Sequence, residues 1–508
     1  MSGHRRAGPR STHGTGLLIV AALAAMAASA TADEIVVMTS GAFTAPYRDA
    51  VPWFERSTQH ELLSVFGAST GGAADSIPTR LARGEPADVI IVSAQALDAL
   101  IAAGEVESGS RVDLVLSRIG VAVRAGAPQP DIGSVEGLVR AVRAARSVAY
   151  SASVSGTYLA TELFPRLGLG EEIAAKGQRI ESERVGAVVA RGDAELGFQQ
   201  ISELLPIEGI DYVGPLPDEA QRVSTFSAGV AVGARSPAAA RELIAFLASP
   251  ALGPVVEKYG LEQSGAQRAA WQTLFNGRDL DGWTAKIRHH ELGENYADTF
   301  RVQDGLLTVA YDGYESFDER FGHLFFAQPF SHYRLRLEYR FIGVQAPNAP
   351  SWAARNSGVM IHSQPPGSML RSQDFPISIE VQFLGGLADG QPRPTGNLCS
   401  PGTRVVYAGR PDPTHCIAAA APTIDGDGWV TADVLVEGSD RIVHYIEGAP
   451  VIEYGAVSYG GGNVNGYDPQ AKPDGKPLGS GYIALQSESH PIQFRRVELL
   501  NLEPEHPQ

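Results

Sequence analysis

Three clusters of hydroxyl residues and glycines in the first half of the chain have the composition of an anion-binding site. The clusters are Thr39-Ser40-Gly41, Ser69-Thr70-Gly71-Gly72 and Ser153-Val154-Ser155-Gly156-Thr157. Each follows a strand-like run and precedes a helical stretch, so each offers backbone N–H groups at the positive end of a helix. Together they could hold a dianion without any basic side chain. Any one cluster taken alone is more often an ordinary helix cap.

Polar side chains in the second half could line a sugar-sized cleft. Because side chains alternate along a strand, Ser378, Glu380 and Gln382 share one face, and Gln486 shares a face with Glu488. The polar residues expected to flank them are Arg355, Asn356 and His362. A polar face of an antiparallel sheet can also be simply solvated, and this alternative stays open.

The elements that must position these residues differ between the two halves. From Asp33 to Gln263, short β-branched runs alternate with Ala-rich stretches, which indicates alternating strands and helices. The predicted strands are Ile35–Met38, Leu62–Phe66, Val89–Val92, Ile119–Arg124, Ser147–Tyr150, Glu195–Phe198 and Ala228–Gly233. The predicted helices are Thr44–Ser57, Ser76–Ala82, Ala94–Ala103, Val135–Ala145, Gly156–Leu167 and Pro237–Ala248.

The second half has the pattern of antiparallel strands. Apolar and polar residues alternate over 333–341, and similar alternation recurs in five further segments. These segments are Ser378–Phe383, Val430–Val436, Ile442–Ile446, Tyr482–Gln486 and Gln493–Leu499. The pattern predicts an all-β sandwich. We therefore predict an export signal over residues 1–32, a first domain over 33–262, a linker over 263–267 and a second domain over 268–503.

Composition limits the partners and the compartment. The 508 residues carry a formal net charge of −16, which disfavours binding to nucleic acid or to anionic membrane surfaces. A basic start and the apolar run Leu17–Ala28 read as an export signal that is too short for membrane insertion, so we expect a periplasmic or secreted protein. In that compartment Cys399 and Cys416 are expected to form a structural disulfide, worth about 3 kcal/mol.

The first half resembles the periplasmic molybdate-binding proteins, a type II solute-binding family. The resemblance rests on Thr39-Ser40, Ser69-Thr70, Gly84-Glu85-Pro86-Ala87-Asp88-Val89, the segment from Tyr150 to Tyr158 and a closing helix through Phe246 and Lys258-Tyr259-Gly260. It implies two α/β lobes hinged by crossing strands. It also implies anion binding by the hydroxyls of Ser40, Ser69 and Thr70 and by the segment around Ser155 and Gly156.

The chain departs from this family at two places. The usual Asp-Pro pair is replaced by Ser153-Val154, and Phe198-Gln199-Gln200 stands where the family tends to place an aromatic residue. Three ligands therefore stay open: molybdate, another small oxyanion, and a polar organic solute held by Gln199 or Gln200. Transport would also require a membrane permease, which this chain does not contain.

The second half resembles the 3-keto-disaccharide hydrolase family, from Trp271 to Leu502. The motifs, in order, are Leu274-Phe275-Asn276-Gly277-Arg278-Asp279-Leu280-Asp281-Gly282-Trp283, Asn356-Ser357-Gly358-Val359, Glu380-Val381-Gln382, Thr395-Gly396-Asn397-Leu398-Cys399-Ser400-Pro401-Gly402-Thr403, Gly428-Trp429, Gly481-Tyr482-Ile483-Ala484-Leu485-Gln486-Ser487-Glu488 and Phe494-Arg495. The resemblance implies a concanavalin-like jelly-roll sandwich acting on a carbohydrate.

The implied chemistry needs one base and one partner for an enolate oxygen. A 3-keto group acidifies the proton on C2, so that the C1 substituent can leave by elimination before water adds back. Glu380 or His362 would be the base, and Arg355 or His323 the enolate partner. The side chains expected to bind the sugar are Asn356, Gln382, Gln486 and Glu488. The chain departs from the family where His362 replaces an Arg, Gly385 an acidic residue and Val430 an Asn.

Two other functions of the second half stay open. The sandwich could bind carbohydrate without catalysis, or it could be an ordinary glycosidase that uses Glu380 and Glu488. No cofactor is expected. No metal site is expected either, because His289-His290 and His415 lack the spacing of metal ligands.

Overall fold

The computed structural model describes residues 32–181, 183–264 and 271–503. The predicted export signal lies outside the described residues except for its last position, and so do positions 265–267 of the predicted linker. The described chain confirms the predicted fold class, because an α/β domain of two lobes is followed by an all-β sandwich.

The first domain alternates strands and helices. Its strands are β1 (Glu34–Ser40), β2 (Glu61–Gly67), β3 (Val89–Ser93), β4 (Val112–Ser117), β5 (Ile119–Arg124), β6 (Val148–Ser151), β7 (Gly177–Ile180), β8 (Leu196–Gln200), β9 (Ile210–Pro215), β10 (Ser224–Val230) and β11 (Glu262–Gln263). Its helices are α1 (Gly41–Thr58), α2 (Ile77–Ala82), α3 (Ala94–Ala102), α4 (Val135–Ala144), α5 (Val154–Tyr158), α6 (Phe164–Arg166), α7 (Gly170–Lys176), α8 (Val185–Arg191), α9 (Ile201–Leu204), α10 (Pro237–Ala248) and α11 (Gly253–Glu257). A π turn, Leu159–Leu163, joins α5 to α6, and 3-10 turns span Asp218–Ala220 and Pro250–Leu252.

Two sheets define the two lobes. Lobe I contains the sheet β11-β4-β10-β3-β1-β2, and lobe II contains the sheet β7-β6-β8-β5-β9. The chain enters lobe II between β4 and β5 and returns between β9 and β10. The sequence pattern missed β4 and β9, which pair antiparallel with β10 and β5. Strand–helix alternation indicates parallel strands, whereas no α-helix separates β4 from β5 or β9 from β10.

The second domain is built from strands with short helical turns. Its strands are β12 (Gln272–Thr273), β13 (Trp283–Ile287), β14 (Phe300–Gln303), β15 (Leu306–Val309), β16 (Gly322–Phe330), β17 (His332–Phe341), β18 (Asn356–Ser363), β19 (Ile379–Leu384), β20 (Asn397–Cys399), β21 (Thr403–Tyr407), β22 (Arg410–Asp412), β23 (Cys416–Ile417), β24 (Val430–Glu437), β25 (Arg441–Ile446), β26 (Ala449–Tyr459), β27 (Gly481–Ser487) and β28 (Ile492–Asn501). The 3-10 turns are Tyr296–Asp298, Ser351–Ala353, Pro366–Ser368 and Pro469–Ala471.

Two antiparallel sheets enclose the core of this domain. The outer sheet has the order β14-β15-β28-β17-β24-β25-β26-β21-β22, with β12 on β28, and the inner sheet has the order β13-β16-β27-β18-β19-β20-β23. The inward side chains of β17 are Tyr333, Leu335, Leu337, Tyr339 and Phe341, all at most 3% exposed. They pack against the inward residues of β19, Ile379, Val381 and Phe383. Burial of these aromatic and aliphatic faces holds the two sheets together.

Lobe I packs against the outside of the outer sheet. Leu435, Val443 and Tyr445 belong to the same apolar cluster as the core of lobe I. The Trp53 ring on α1 lies edge-on to Tyr445 at 6.0 Å, and its Nε1 donates to Glu453 Oε2 at 2.7 Å. The Tyr445 hydroxyl donates to the Ala251 carbonyl at 2.8 Å. Strands β24 and β25 are therefore covered on both faces.

An ion network lies beside this apolar contact. Glu257 on α11 accepts from Arg334 Nη2 at 2.8 Å and from Arg336 Nη2 at 2.5 Å. The Nε atoms of the same two arginines donate to Asp433 Oδ1 at 2.9 and 3.0 Å. Both guanidinium groups also lie over the ring of Trp271, about 5 Å from its centroid. Burial opposes ionisation of Glu257, but the two guanidinium groups still hold its pKa below the usual range.

Among the described residues, no single helix is long and apolar enough to span a membrane. One pair of consecutive helical segments reaches that length and apolarity only when the two are joined, and they are bent by 55° relative to each other. The segments are Pro237–Ala248 and Pro250–Glu257.

We expect Glu257→Ala to loosen the interface between lobe I and the sandwich. The substitution leaves two guanidinium groups facing one carboxylate, and because Glu257 is one-third exposed the loss should be about 2 kcal/mol, below that of a fully buried pair. Urea denaturation of the full chain measures it. Glu136→Ala, at an exposed position of lobe II, is the control. Equal urea midpoints for the two variants would contradict a stabilising role of the network.

Candidate functional site

A cleft of about 730 Å³ lies between the two lobes. Ser69 and Thr70 line it from lobe I, and Ser155 lines it from lobe II. Ser69 Oγ accepts from the Ser93 backbone N–H at 3.1 Å and donates to Ser40 Oγ at 2.7 Å. Ser40 is 1% exposed and lies directly behind Ser69. The first two predicted hydroxyl clusters are thus joined by a hydrogen bond at one wall of the cleft.

The third cluster starts helix α5 at the opposite wall. Ser155 Oγ lies 3.3 Å from Ser151 Oγ, and both residues line the cleft. Gly156 is buried behind them, and a Cβ at this position would lie 1.5 Å from the Ser151 carbonyl oxygen. Gly156 therefore allows the helix to pack closely on β6, and its side-chain position does not face a ligand.

Arginine side chains line this cleft, contrary to the expectation of a site without basic groups. Arg48 comes from α1, and Arg179 and Arg184 come from lobe II. Arg179 pairs with Glu181 at 2.6 Å, and the Arg48 guanidinium lies 4.5 Å from the centroid of the Phe66 ring. Within the described residues, neither Arg48 nor Arg184 is paired with a carboxylate. Arg48 follows Gly41 by two helical turns, a spacing that could have placed it on the same face as the first cluster.

A carboxyl group that the sequence reading missed also lines the cleft. Glu203 lies on α9, four residues after Gln199, and its Oε1 accepts from Gln199 Nε2 at 3.0 Å. Gln199 Oε1 in turn accepts from the Val185 backbone N–H at 2.9 Å. Burial raises the pKa of Glu203 to about 7, although Arg184 favours its ionised form. Gln199, predicted as a ligand residue, thus also holds Glu203 in place.

A second cleft, of about 560 Å³, lies on the open face of the inner sheet of the sandwich. Asn356 on β18, Glu380 and Gln382 on β19 and Glu488 after β27 line it, as the strand alternation predicts. Glu380 Oε1, Asn356 Oδ1 and Glu488 Oε2 are buried and have no hydrogen-bond partner within the described residues. Unpaired polar atoms of this kind are available to a bound ligand.

The two carboxyl groups in this cleft hold their protons unusually tightly. Burial raises the pKa of Glu380 to about 8. Burial, and next the charge of Glu380, raise the pKa of Glu488 well above its ordinary value. A Cβ at position 358 would lie 3.0 Å from Glu380 Oε1, so Gly358 leaves the carboxyl room beside β18. At neutral pH the pair can therefore supply both a protonated and an ionised carboxyl.

Two residues of the cleft were not predicted from the sequence. The Arg393 guanidinium is held by the carbonyl oxygens of Ala354, Arg355 and Gly385 at 2.5 to 3.1 Å. Trp352 lies at the rim and is 56% exposed, which suits stacking on the apolar face of a sugar. Both residues lie in turns or loops, and the alternation of polar and apolar residues makes no prediction for such segments.

The structure places His362 and Arg355 outside the residues that line the cleft. The register of β18 on β27 shifts between Met360 and Ser363, and this bulge turns His362 away so that its Nε2 meets the Gly438 carbonyl oxygen. Burial lowers the pKa of His362 to about 4. Arg355 lies over the ring of Phe341 and pairs with Asp427 at 3.0 Å. Arg393 takes the place expected for Arg355.

His323 and Gln486 lie side by side on β16 and β27, on the same face of the inner sheet as the cleft. Neither is exposed, and neither is among the lining residues. Both ring nitrogens of His323 lack a partner within the described residues, whereas the Gln486 amide lies close enough to Glu380 to favour its ionised form. Burial, and next Lys286, lower the pKa of His323 to about 3, so its ring is neutral. Among the described residues, no group of three His, Cys, Asp or Glu side chains could hold a metal ion.

The predicted disulfide between Cys399 and Cys416 is present and joins the paired strands β20 and β23. Cys416 and its neighbour His415 both line the cleft. The His415 carbonyl accepts from the Ser400 backbone N–H at 2.9 Å, which holds His415 beside β20. The disulfide therefore fixes one wall of the cleft.

Comparison with known proteins separates the two domains. Residues 35–262 match the family model of bacterial extracellular solute-binding proteins, and residues 270–500 match the 3-keto-alpha-glucoside-1,2-lyase-like domain. A protein of Pseudomonas sp named aconitate isomerase is 43% identical over 252 residues, which cover 50% of this chain and 96% of the relative. The molybdate-binding protein ModA of Azotobacter vinelandii is 26% identical over 256 residues, covering 48% and 96%. The solved periplasmic molybdate-binding protein of Azotobacter vinelandii aligns with 45% of this chain and 98% of its own, at 20% identity and a TM-score of 0.38.

The raised pKa of Glu380 makes the stability of the chain depend on pH. The folded state binds this proton more tightly than the unfolded state, so the stabilisation is complete below the ordinary value of 4.5 and is lost as the pH rises through about 8. We expect Glu380→Gln to remove part of this decline. The melting temperature of the variant should rise relative to the wild type between pH 5 and pH 8. Glu315→Gln, at an exposed position, is the control, and parallel pH profiles of wild type and Glu380→Gln would contradict a buried proton.

Proposed function

Since the chain belongs to the bacterial extracellular solute-binding protein family through residues 35–262, we propose that its inter-lobe cleft binds a small polycarboxylate and isomerises it. We propose further that the sandwich cleaves 3-keto-glycosides by elimination. The protein would act in the periplasm or outside the cell, where such solute-binding proteins meet their ligands. A permease is a further candidate partner.

The arginines of the inter-lobe cleft support a polycarboxylate over a single tetrahedral oxyanion. Arg48 belongs to lobe I and Arg184 to lobe II, so cationic groups reach the ligand from both sides. A planar guanidinium matches a carboxylate with two parallel hydrogen bonds. A ligand with separate carboxylates can therefore bridge the lobes, with the hydroxyls of Ser69 and Thr70 as further donors. This arrangement agrees with the similarity to a protein named aconitate isomerase.

Isomerisation of aconitate requires only the movement of a proton. Aconitate carries a vinyl CH and a CH₂ on either side of its central carbon, each bonded to a carboxylate. Removal of a methylene proton gives an allylic carbanion, and return of a proton to the former vinyl carbon moves the double bond by one position. The product is again aconitate, with the geometry at the new double bond set by the bound conformation. Cationic groups beside the carboxylates would stabilise the carbanion.

We expect Arg184→Gln to weaken aconitate binding by the full chain about 10- to 100-fold, because a hydrogen bond to a charged group is lost. Calorimetric titration with cis- and trans-aconitate measures the affinity, and titration with molybdate measures the alternative ligand. Arg140→Gln is the matched control, since Arg140 is exposed on α4 and does not line the cleft. Tight binding of molybdate with no binding of aconitate would contradict this proposal.

In the sandwich, the two buried carboxyl groups support an elimination. An ionised Glu380 would remove the C2 proton, and the electron pair would pass to the C3 oxygen as an enolate beside Arg393. Collapse of the enolate forms the C1–C2 double bond and breaks the C1–O bond, and the departing oxygen takes its proton from Glu488. Water then adds across the double bond: Glu488 takes a proton from the water as its oxygen bonds to C1, and Glu380 returns its proton to C2. Both carboxyl groups regain their starting states, and the net reaction is a hydrolysis. The observation that carries this proposal is a carboxyl pair with raised pKa values that faces the cleft beside a cation.

We expect the full chain to release glucose from an α-linked 3-keto-disaccharide, and Glu380→Gln to lower kcat at least 100-fold through loss of the general base. Deuterium should enter C2 when the reaction runs in heavy water. Glu315→Gln, at an exposed position that does not line the cleft, is the control. Binding without turnover would instead support a carbohydrate-binding sandwich. Turnover of the unoxidised disaccharide would support an ordinary glycosidase.

A further inference from the structure

We infer that Glu203 is the catalytic residue that moves the proton in the inter-lobe cleft, and that Gln199 is its positioning residue. The inference rests on the isomerisation proposed above and adds the group that performs it. Glu203 lies on α9 (Ile201–Leu204), a short helix that begins directly after β8 ends at Gln200. It lines the same cleft as Arg48 and Arg184.

Close packing around Glu203 fixes its carboxyl group at the start of α1. A Cβ at position 41 would lie 2.1 Å from Glu203 Oε1, so only the missing side chain of Gly41 lets the carboxyl group occupy this place. Helix α1 has 18 residues, and its positive end meets the carboxyl group from lobe I. The carboxyl group therefore lies beside the hydroxyl cluster that begins with Ser40.

Gln199 orients the carboxyl group from the other side. Its Oε1 is occupied by the Val185 N–H, so its Nε2 must point towards Glu203, to which it donates at 3.0 Å. This bond engages Oε1 of Glu203 and leaves Oε2 for a proton of the ligand. Because Gln199 cannot rotate without losing the Val185 bond, it acts as a fixed donor to Glu203.

The other charged groups of the cleft do not compete for the same role. The cations are Arg48, Arg179 and Arg184, and the acids are Asp75, Glu181 and Glu183. Glu181 pairs with Arg179 and Glu183 with Arg191, and Asp75 is exposed. Glu203 therefore differs from these acids in being only partly exposed where they are exposed, and desolvation of its carboxyl group brings its pKa to about 7. A group that titrates near neutrality can both accept and return a proton.

One carboxyl group is sufficient for the whole reaction. The proton leaves the methylene carbon and returns to the vinyl carbon of the same allylic unit, so the group that accepts it ends the cycle in its original state. No oxidant, reductant or co-reactant enters the balance. The arginines bind the carboxylates and hold both reacting carbons near Glu203.

The test compares Glu203→Gln with wild type in the full chain, with aconitate as the probe for both binding and isomerisation. We expect Glu203→Gln to retain the dissociation constant within about threefold and to lose 100- to 10,000-fold in kcat. Deuterium exchange of the methylene protons should disappear with it. Glu208→Gln, at an exposed position just after α9, is the matched control and should keep wild-type kcat.

Gln199→Met tests the positioning role separately. Loss of the amide donor disfavours the ionised carboxylate, so the acid limb of the kcat/KM profile should move to higher pH. Full kcat in Glu203→Gln would overturn the inference while leaving the proposed isomerisation intact. A wild-type chain that does not isomerise aconitate would overturn both. An unchanged pH profile in Gln199→Met would overturn the role of Gln199.

Discussion

The contact between lobe I and the outer sheet of the sandwich determines how the rest of the molecule is arranged. It combines an apolar surface around Trp53 and Tyr445 with the ion network of Glu257, Arg334 and Asp433. Arg334 is 3% exposed, so its charge must be neutralised where it lies, and the carboxylates of both domains do this together. Without the other domain, each domain would expose apolar side chains and unpaired charges at this contact. Lobe I contacts the outer sheet of the sandwich. The cleft of the sandwich lies on the other sheet, the inner one.

The two clefts lie in unrelated folds but share one electrostatic arrangement. In each, a carboxyl group is largely removed from solvent, its pKa is raised towards or above neutrality, and an arginine lines the same cleft. Burial penalises the charged carboxylate, and a nearby cation that is not in direct contact compensates only part of that penalty. The result in both clefts is a group that can exchange a proton at ordinary pH. Arg393 is anchored by three carbonyl oxygens and Glu203 by Gln199, so these groups are held in place before a ligand binds.

Strand alternation predicted much of the sandwich cleft correctly. The period of two placed Glu380 and Gln382 on one face and Ile379 on the other, and the structure agrees. The same rule failed for His362, because one extra residue in a bulge reverses the direction of every side chain that follows it. A bulge leaves no mark in the order of polar and apolar residues. Arg393 and Trp352 were missed because they lie in turns and loops, to which no periodicity applies.

The sequence by itself determined the two fold classes, the hydroxyl clusters and the partnership of Cys399 with Cys416, because these depend on local spacing and composition. The tertiary structure alone decided which charged groups meet. Arg48 and Arg184 come from different lobes, and Gly41, 162 positions before Glu203, leaves room for its carboxyl group at the start of α1. The hydroxyl and glycine clusters suggested a binding site without basic side chains, and the net charge of −16 disfavoured anionic macromolecules as partners, yet net charge is a sum over the whole surface. The field at a ligand is set by the few groups within several ångströms, and the folding of the chain selects them.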